Sequence, residues 1–213
     1  MKSRLFCVGL AVAALLQVGT ARAAPEPGSI LAFASYRSND SGIYTINTDG
    51  TGLQRLTGAP DPAFEGEPTY SPSGARIAYV CGNFELCVMN ADGSGEGRVT
   101  TNRWPEHWDY VSHPTWSPDG TKIAFAISGE GRSRIDVINA DGSGLTELVG
   151  TTGNDEDPAW SPNGATIAFD SYRGDRNASI YVMNTDGTHP LRLTNGANDE
   201  STPAWSPDGS RIV

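Results

Sequence analysis

One short motif occurs four times in this chain of 213 residues. In its fullest form it runs from Pro114 to Phe125 and reads Pro-Thr-Trp-Ser-Pro-Asp-Gly-Thr-Lys-Ile-Ala-Phe. The other copies begin at Pro68, Pro158 and Pro203. A fixed period of about 45 residues is typical of the four-stranded blade of a β-propeller, in which one supersecondary unit is repeated.

The chemistry of this motif predicts a β-hairpin. In Ser-Pro-Asp-Gly the proline presets φ at the first corner of a turn, and the glycine takes the left-handed position that ends it. The apolar run that follows, such as Ile123-Ala124-Phe125, alternates in the way that a half-buried strand does.

A second repeated motif lies between the copies of the first. Each copy is an apolar, strand-forming run closed by Asp-Gly, which is a strong hairpin signal. The copies are Ile43–Gly50, Cys87–Gly93, Asp136–Gly142 and Ile180–Gly187. A return strand follows, as in Leu191-Arg192-Leu193-Thr194, so every period holds four short strands. The predicted fold class is all-β, a β-propeller of four-stranded blades with about four repeats present.

The N-terminus has the pattern of a secretory signal peptide. Lys2 and Arg4 precede a mostly apolar run, and Ala21-Arg22-Ala23 gives the small-x-small cleavage pattern. The apolar run is too short for a comfortable membrane span. We therefore expect a signal peptide at 1–23, a spacer at 24–29 and a propeller at 30–213 in a periplasmic or secreted protein. Its repeats are expected at about 30–67, 68–113, 114–157 and 158–202, with a partial repeat at 203–213.

Two forms of the ring are compatible with the sequence. Ile30-Leu31-Ala32-Phe33 matches the second strand of a blade, and the segment from Pro203 to Gly209 could supply the missing first strand. However, Arg211-Ile212-Val213 begins the same strand that Ile30-Leu31-Ala32 represents. One interpretation is a four-bladed ring closed by strand exchange. The other, favoured because unpaired strand edges must be covered, is part of a larger propeller, for example one with six blades.

Charge narrows the choice of partners. The net charge is -10, and removal of Lys2, Arg4 and Arg22 with the signal peptide would leave roughly -13. Nucleic acids and anionic membrane surfaces need clustered basic residues, so both are disfavoured. Basic peptides or cations are the favoured ligands, and the oligomeric state is left open.

Cys81 and Cys87 flank a short turn and fall on adjacent antiparallel strands. In an oxidising compartment this placement favours a disulfide over two buried thiols. A redox-active pair is disfavoured because the Cys-x-x-Cys spacing is absent.

The long connection before Pro114 is one candidate ligand-contact surface. It carries Trp104, His107 and Trp108 among polar residues, and aromatic residues on the loops of a rigid scaffold often contact ligands. The alternative is that they only fill space. Its acidic and histidine residues match no known metal-ligand spacing, so no metal site is predicted.

Acidic residues before the other repeated prolines form a second candidate surface. Each group precedes the first, innermost strand of its blade, so the carboxylates are expected around one mouth of the central channel and concentrate negative potential there. The alternative is that they only keep the protein soluble. The candidate residues are Asp155, Asp157, Asp199 and Glu200, with Asp61, Glu65 and Glu67 at the equivalent position of another repeat.

The sequence contains no assembled catalytic motif. It lacks a Gly-x-Ser-x-Gly elbow, a phosphate-binding loop, a His-Glu-x-x-His motif and a dinucleotide fingerprint. None of His107, His113 and His189 recurs with the period. We predict no catalytic residues and no cofactor.

The paired motifs Pro-x-Trp-Ser-Pro-Asp-Gly-x-x-Ile-Ala-Phe and Ile-Tyr-Val-Met-Asn-x-Asp-Gly resemble the repeats of the TolB β-propeller family over residues 30–213. The resemblance implies an exported, non-enzymatic propeller that binds a protein or peptide, such as an envelope lipoprotein. TolB proteins carry an α/β domain before the propeller, whereas here the repeats follow the signal peptide directly. Similar repeats also precede peptidase domains of the prolyl oligopeptidase type and occur in polysaccharide lyases, so a gating propeller of a peptidase and a carbohydrate-active or carbohydrate-binding propeller are the alternatives.

Overall fold

The computed structural model describes residues 29–37, 40–58, 64–82, 85–100, 110–129, 131–148, 153–174 and 176–213. Within these ranges the secondary structure consists of β-strands in four antiparallel sheets, each in sequence order. The described residues include no helix long and apolar enough to cross a membrane. The all-β, propeller-type architecture expected from the period is confirmed.

Each sheet is one blade. Blade 1 contains β1 (Ile30–Arg37), β2 (Asp40–Asn47) and β3 (Gln54–Arg55). Blade 2 contains β4 (Phe64–Tyr70), β5 (Arg76–Gly82), β6 (Glu85–Asn90) and β7 (Gly97–Arg98). Blade 3 contains β8 (Tyr110–Trp116), β9 (Lys122–Gly129), β10 (Arg132–Asn139) and β11 (Thr146–Glu147). Blade 4 contains β12 (Asp155–Trp160), β13 (Thr166–Ser171), β14 (Ser179–Asn184) and β15 (Leu191–Arg192).

Neighbouring blades pack face to face through their apolar residues. The third residue of each Ile-Ala-Phe run is fully buried at Tyr79, Phe125 and Phe169. Separate apolar clusters join blades 1 and 2, blades 2 and 3, and blades 3 and 4. The first strands of successive blades, β4, β8 and β12, also contact one another, and we call these three the inner strands. The inner strands therefore share one side of the assembly.

The turn residues of the second motif have a structural role. Asp141 Oδ1 accepts a 2.9 Å hydrogen bond from the backbone N–H of Ser143, and the same bond recurs at the other three Asp-Gly turns. Gly142 has a φ of 86°, and a Cβ there would lie 3.2 Å from the carbonyl oxygen of Val99 in the preceding blade. This turn therefore requires glycine both for its backbone conformation and for its close approach to the preceding blade.

The threonine of the Arg-Leu-Thr run replaces a missing strand partner. Thr100 is buried and its Oγ1 accepts a 2.8 Å hydrogen bond from the backbone N–H of Leu86 in β6. Thr57 and Thr194 do the same for β2 and β14 at 2.9 Å. Each threonine continues the ladder just beyond the short outer strand, which explains why this residue recurs in three of the four repeats.

Residues 203–213 begin a further hairpin beside blade 4. Trp205 pairs with Ile212, and Trp205 Nε1 donates a 3.1 Å hydrogen bond to the carbonyl oxygen of Ala159 in β12. Blade 1 is a three-stranded sheet in which β1 pairs with β2. The segment from Pro203 to Gly209 thus does not complete blade 1, and closure by strand exchange is not the arrangement of this structure. The larger propeller stays a prediction.

The two cysteines lie on the adjacent strands β5 and β6. Their sulfurs are bonded, with the Cα atoms 5.9 Å apart. Both residues are buried, at 4% and 1% exposure. The structure therefore contains the disulfide that the positions of these cysteines favoured.

Candidate functional site

Every inner strand is interrupted by a β-bulge at the repeated proline. The register with the next strand shifts between Gly66 and Thr69, between Ser112 and Thr115, and between Glu156 and Ala159. The residue before each proline has a positive φ: 54° at Glu67, 52° at His113, 49° at Asp157 and 57° at Thr202. We call these four residues the bulge row.

The prolines account for the break in each strand ladder. Proline has no N–H to give to a strand ladder, and it disfavours a right-handed helical conformation in the residue before it. A non-glycine residue in the left-handed region costs of order 1–3 kcal/mol, and such residues cluster at functional sites. A bulge also redirects the side chain that it carries. Positive φ at one repeated position in four repeats therefore marks the bulge row as a candidate site.

The bulge row is linked from blade to blade. The backbone N–H of His113 donates to Glu67 Oε2 at 2.5 Å, and His113 Nδ1 lies 2.8 Å from Asp157 Oδ1. The backbone N–H of Thr202 in turn donates to the Asp157 carboxylate. A chain of charged and polar groups thus crosses four successive repeats.

Electrostatics keep His113 protonated. Burial alone would lower its pKa, but the hydrogen bond to Asp157 and the charges of Glu67, Asp157 and Glu156 outweigh burial and raise the pKa to about 9. Since 44% of the side chain is exposed, the imidazolium also faces solvent. His113 is therefore a cation held between carboxylates at neutral pH.

Asp157 and Asp170 form a carboxyl pair in blade 4. Asp170 is buried, lies on β13 opposite Glu156, and hydrogen-bonds to Asp157. Burial and then the charge of Asp157 raise the pKa of Asp170 to about 7. Burial opposes ionisation of Asp157, but the bond and charge of His113 outweigh it and lower its pKa. A proton on Asp170 therefore lies next to an ionised Asp157.

The pH dependence of stability should report on these groups. His113 and Asp170 bind protons more tightly when folded, because their pKa values rise from 6.5 to about 9 and from 3.8 to about 7. Where the folded state holds more protons, stability falls as pH rises. The melting temperature is therefore expected to be higher at pH 5 than at pH 9, with the loss spread from about pH 4 to 9. Melting curves of His113→Gln/Asp170→Asn should show a flatter profile, and an unchanged slope would contradict these assignments.

Two of the acidic residues singled out by the sequence are buried in blade structure. Asp155 is fully buried, and its Oδ2 lies 2.7 Å from Arg173 Nη2. Glu65 is 3% exposed; its carboxylate accepts a hydrogen bond from Thr57 Oγ1, and its backbone N–H donates to Ser41 Oγ at 3.0 Å. The blades begin a few residues before the prolines, so these carboxylates lie within inner strands, where the sequence led us to expect connections.

The remaining sequence candidates divide into two groups. Asp199 is exposed, and its Oδ1 accepts a 2.9 Å hydrogen bond from the backbone N–H of Ala178, while Glu200 Oε2 accepts one of 3.4 Å from Gly196. Trp104, His107 and Trp108 lie outside the described residues, as does Asp61. No cluster of three or more metal-ligating side chains occurs among the residues that the structure describes.

Three exposed tyrosines beside the bulge row were not predicted. Tyr36 is 56% exposed, Tyr110 is 45% exposed and Tyr172 is 41% exposed. The Tyr36 ring contacts the Phe64 ring at the start of β4, with 5.8 Å between centroids; Tyr110 opens β8, and Tyr172 follows β13 beside the start of β12. Each of these tyrosines lies at a strand end opposite the repeated Ser-Pro-Asp-Gly turns. This common position becomes visible only once the strand ends are known.

Two of these tyrosines, Tyr36 and Tyr172, lie near acidic side chains. Burial, followed by the charges of Asp199, Asp170 and Glu156, raises the pKa of Tyr172. Burial and the charge of Glu67 raise the pKa of Tyr36. We call this surface the mouth; it comprises Tyr36, Glu67, Tyr110, His113, Glu156, Tyr172 and Asp199.

Residues 105–213 match the family model described as the TolB beta propeller domain. The chain belongs to the TolB β-propeller family. It is 31% identical over 149 residues to a Protein TolB homolog of Chlorobium luteolum, which covers 68% of this chain and 32% of that protein. It is 37% identical over 84 residues to a Tol-Pal system protein TolB of Rhizorhabdus wittichii, covering 39% of this chain and 18% of the relative. This TolB-family chain thus spans a third or less of these relatives.

Solved structures share the propeller fold. TolB from Acinetobacter baumannii superimposes with a TM-score of 0.70 at 21% identity, covering 87% of this chain and 46% of that one. A putative TolB from Agrobacterium tumefaciens gives a TM-score of 0.68 at 25% identity, covering 84% of this chain and 67% of that one. An oligogalacturonate lyase in complex with manganese gives a TM-score of 0.62 at 14% identity, covering 87% of this chain and 58% of that one. The likeness of the TolB-family chain to the lyase concerns the fold alone.

Proposed function

We propose that this TolB-family propeller is an exported, non-enzymatic module of the cell envelope that binds a protein or peptide at the mouth. The observation that carries the proposal is the bulge row, a line of charged side chains midway along the inner strands, together with exposed tyrosines at the strand ends opposite the repeated turns. Tyrosine is enriched at protein interfaces because it combines a large apolar ring with a polar tip.

Charge indicates the kind of partner. Glu67, Glu156 and Asp199 bring carboxylates to the mouth, and His113 is the basic residue bonded among them. The whole chain has a net charge of -10. A surface of one sign attracts an oppositely charged partner and increases its rate of association. The partner surface that fits is therefore basic with apolar groups that can lie against tyrosine rings.

The similar proteins support an envelope role. Two of the most similar relatives are named TolB, and one of them is named as a protein of the Tol-Pal system. The resemblance of the repeats to those of TolB proteins makes an envelope lipoprotein the partner class that we propose. The signal peptide proposed for residues 1–23 and the disulfide between Cys81 and Cys87 both support export to an oxidising compartment.

The serines of the repeated turns support a non-enzymatic role. Ser117 Oγ donates a 2.6 Å hydrogen bond to Asp119 Oδ1 and accepts one from the backbone N–H of Lys122. Ser161 makes the equivalent contacts with Asn163 and Thr166. These hydroxyls stabilise turns, and the turns follow the C-terminal ends of the inner strands, beyond His113.

Removing two carboxylates from the mouth should weaken partner capture. In Glu67→Gln/Glu156→Gln two carboxylates become amides of the same size, and the amide oxygen introduced at position 67 can still accept the His113 N–H. The tagged wild-type chain is used to capture its partner from envelope extract. We expect the variant to capture at least about tenfold less of that partner, because the charges of the mouth supply the attraction. Quantitative mass spectrometry of the captured proteins measures the ratio.

The matched control neutralises two exposed carboxylates on the outer part of the blades, in Glu96→Gln/Glu147→Gln. It has the same net charge as the mouth variant and should capture the partner as the wild type does. Equal loss on both variants would show that only net charge matters. Equal capture by both variants would refute recognition at the mouth.

A further inference from the structure

The turn end of the inner strands contains a repeated cleft between blades. Between blades 2 and 3, Arg76 fills this cleft: its guanidinium lies 4.8 Å from the ring centroid of Trp116, and Nη2 donates a 2.9 Å hydrogen bond to the carbonyl oxygen of Gly120. The cleft is thus built from a tryptophan, a turn carbonyl and an arginine supplied by the preceding blade.

The same cleft between blades 3 and 4 lacks the arginine. The residue equivalent to Arg76 is Lys122, whose Nζ donates a 2.8 Å hydrogen bond to Asn139 Oδ1 within its own blade. The blades themselves approach similarly at both clefts: a Cβ at Gly120 would lie 3.6 Å from Pro72 Cδ, and one at Gly164 would lie 3.8 Å from Pro118 Cδ. The two clefts therefore have the same backbone arrangement, but only the cleft between blades 2 and 3 is filled by an arginine side chain.

A cavity of about 440 Å³ occupies this second cleft. Trp160 and Gly164, the equivalents of Trp116 and Gly120, both line it. Its charged lining residues are Asp119, Asp186 and Lys122, so the lining has two carboxylates and one ammonium that is already hydrogen-bonded to Asn139. The volume lies within the range of small-ligand pockets.

Trp160 also differs in its hydrogen bonding. Trp116 Nε1 and Trp205 Nε1 each donate a 3.1 Å hydrogen bond to a carbonyl oxygen of the preceding blade. Trp160 Nε1 is buried and has no hydrogen-bond partner among the described residues. This cleft therefore also differs from the other two in the hydrogen bonding of its tryptophan.

We propose that the cavity between blades 3 and 4 binds an arginine side chain of a partner peptide. Its guanidinium would lie over the Trp160 ring and donate to the Gly164 carbonyl oxygen, as Arg76 does at Trp116 and Gly120. Asp119 and Asp186 supply the complementary charge, and a guanidinium combines stacking with directed hydrogen bonds in a way that a lysine ammonium does not. This site lies at the opposite end of β12 from the mouth and does not depend on the function proposed there.

The test follows the Trp160 indole N–H by NMR while N-acetyl-arginine amide is added, with the signal assigned from Trp160→Phe. We expect a saturable shift of this signal. The matching lysine amide should bind at least about tenfold more weakly, because an ammonium group cannot stack on the ring as a planar guanidinium does and lacks its fixed set of N–H donors. A tryptophan shift that responds equally to both amides, or to neither, would overturn the proposal.

Two substitutions of Lys122 distinguish the effect of filling the cavity from the effect of removing the lysine charge. Lys122→Arg should place the chain's own guanidinium in the cavity and weaken binding of the arginine amide at least about tenfold, whereas Lys122→Gln should leave binding unchanged or stronger. Circular dichroism checks that both variants fold. Equal binding by Lys122→Arg and Lys122→Gln would contradict an arginine site, as would stronger binding of methyl glycosides than of the arginine amide.

Discussion

Replacing Asp155 with alanine is expected to lower the free energy of unfolding by about 3–5 kcal/mol, the usual cost of leaving one partner of a buried ion pair without the other. Asp155 is fully buried, and its carboxylate lies 2.7 Å from the Arg173 guanidinium. Arg173 lies over the rings of Phe169 and Tyr181, with 5.2 and 5.1 Å from Cζ to the ring centroids. The guanidinium is therefore held in place and cannot easily turn to water when its partner is removed. Urea denaturation at pH 7 measures the loss.

The double variant Asp155→Ala/Arg173→Met is the control for this prediction. Removing both charges leaves no unpaired ion, and methionine can cover the two rings, so much of the lost stability should return. A loss below about 1 kcal/mol in the single variant would be typical of an exposed pair and would contradict the burial of Asp155 beside Arg173.

Replacing Phe125 with alanine should cost about 3–5 kcal/mol, the usual range for removing a buried aromatic side chain. Phe125 is fully buried in the apolar cluster between blades 2 and 3, where its neighbours are held by sheets on both sides. The cavity left behind cannot collapse easily, so the loss should lie well above the transfer free energy alone. Equilibrium denaturation with a check for an unchanged m-value measures this effect.

Phe33 provides the matched control, because it occupies the same position of the repeat in blade 1. It is only partly buried, and its ring stacks on Tyr44 with 5.8 Å between centroids. Phe33→Ala should therefore cost clearly less than Phe125→Ala. Equal losses would contradict the difference in burial between the two blades.

The fold was predictable because its signals are local and repeated. Ser-Pro-Asp-Gly and Asp-Gly turns are set by residues within a few positions of each other, and the period of about 45 residues indicates blades. The pairing of Cys81 with Cys87 was predictable for the same reason, since one short hairpin joins them.

The candidate site was less predictable because its decisive features are either locally unfavourable or distant in sequence. A left-handed conformation at Glu67 or His113, directly before proline, is disfavoured by local preference, so the sequence indicated loops where the inner strands carry bulges. The contact between His113 and Asp157 joins different blades, and no sequence spacing indicates it. Asp155 is likewise buried because it pairs with Arg173, which lies just beyond the neighbouring strand. The acidic residues next to Asp155 in the sequence gave no indication of this pairing.

The residues before the repeated prolines meet across blades and form one charged surface. The most direct measurement is an NMR titration of the His113 ring, assigned with His113→Gln. The expected pKa is about 9 in the wild type, falling toward the ordinary value in Asp157→Asn because the partner charge is gone. A wild-type value near 6.5 that does not change in Asp157→Asn would show that His113 and Asp157 do not meet, and would contradict the claim.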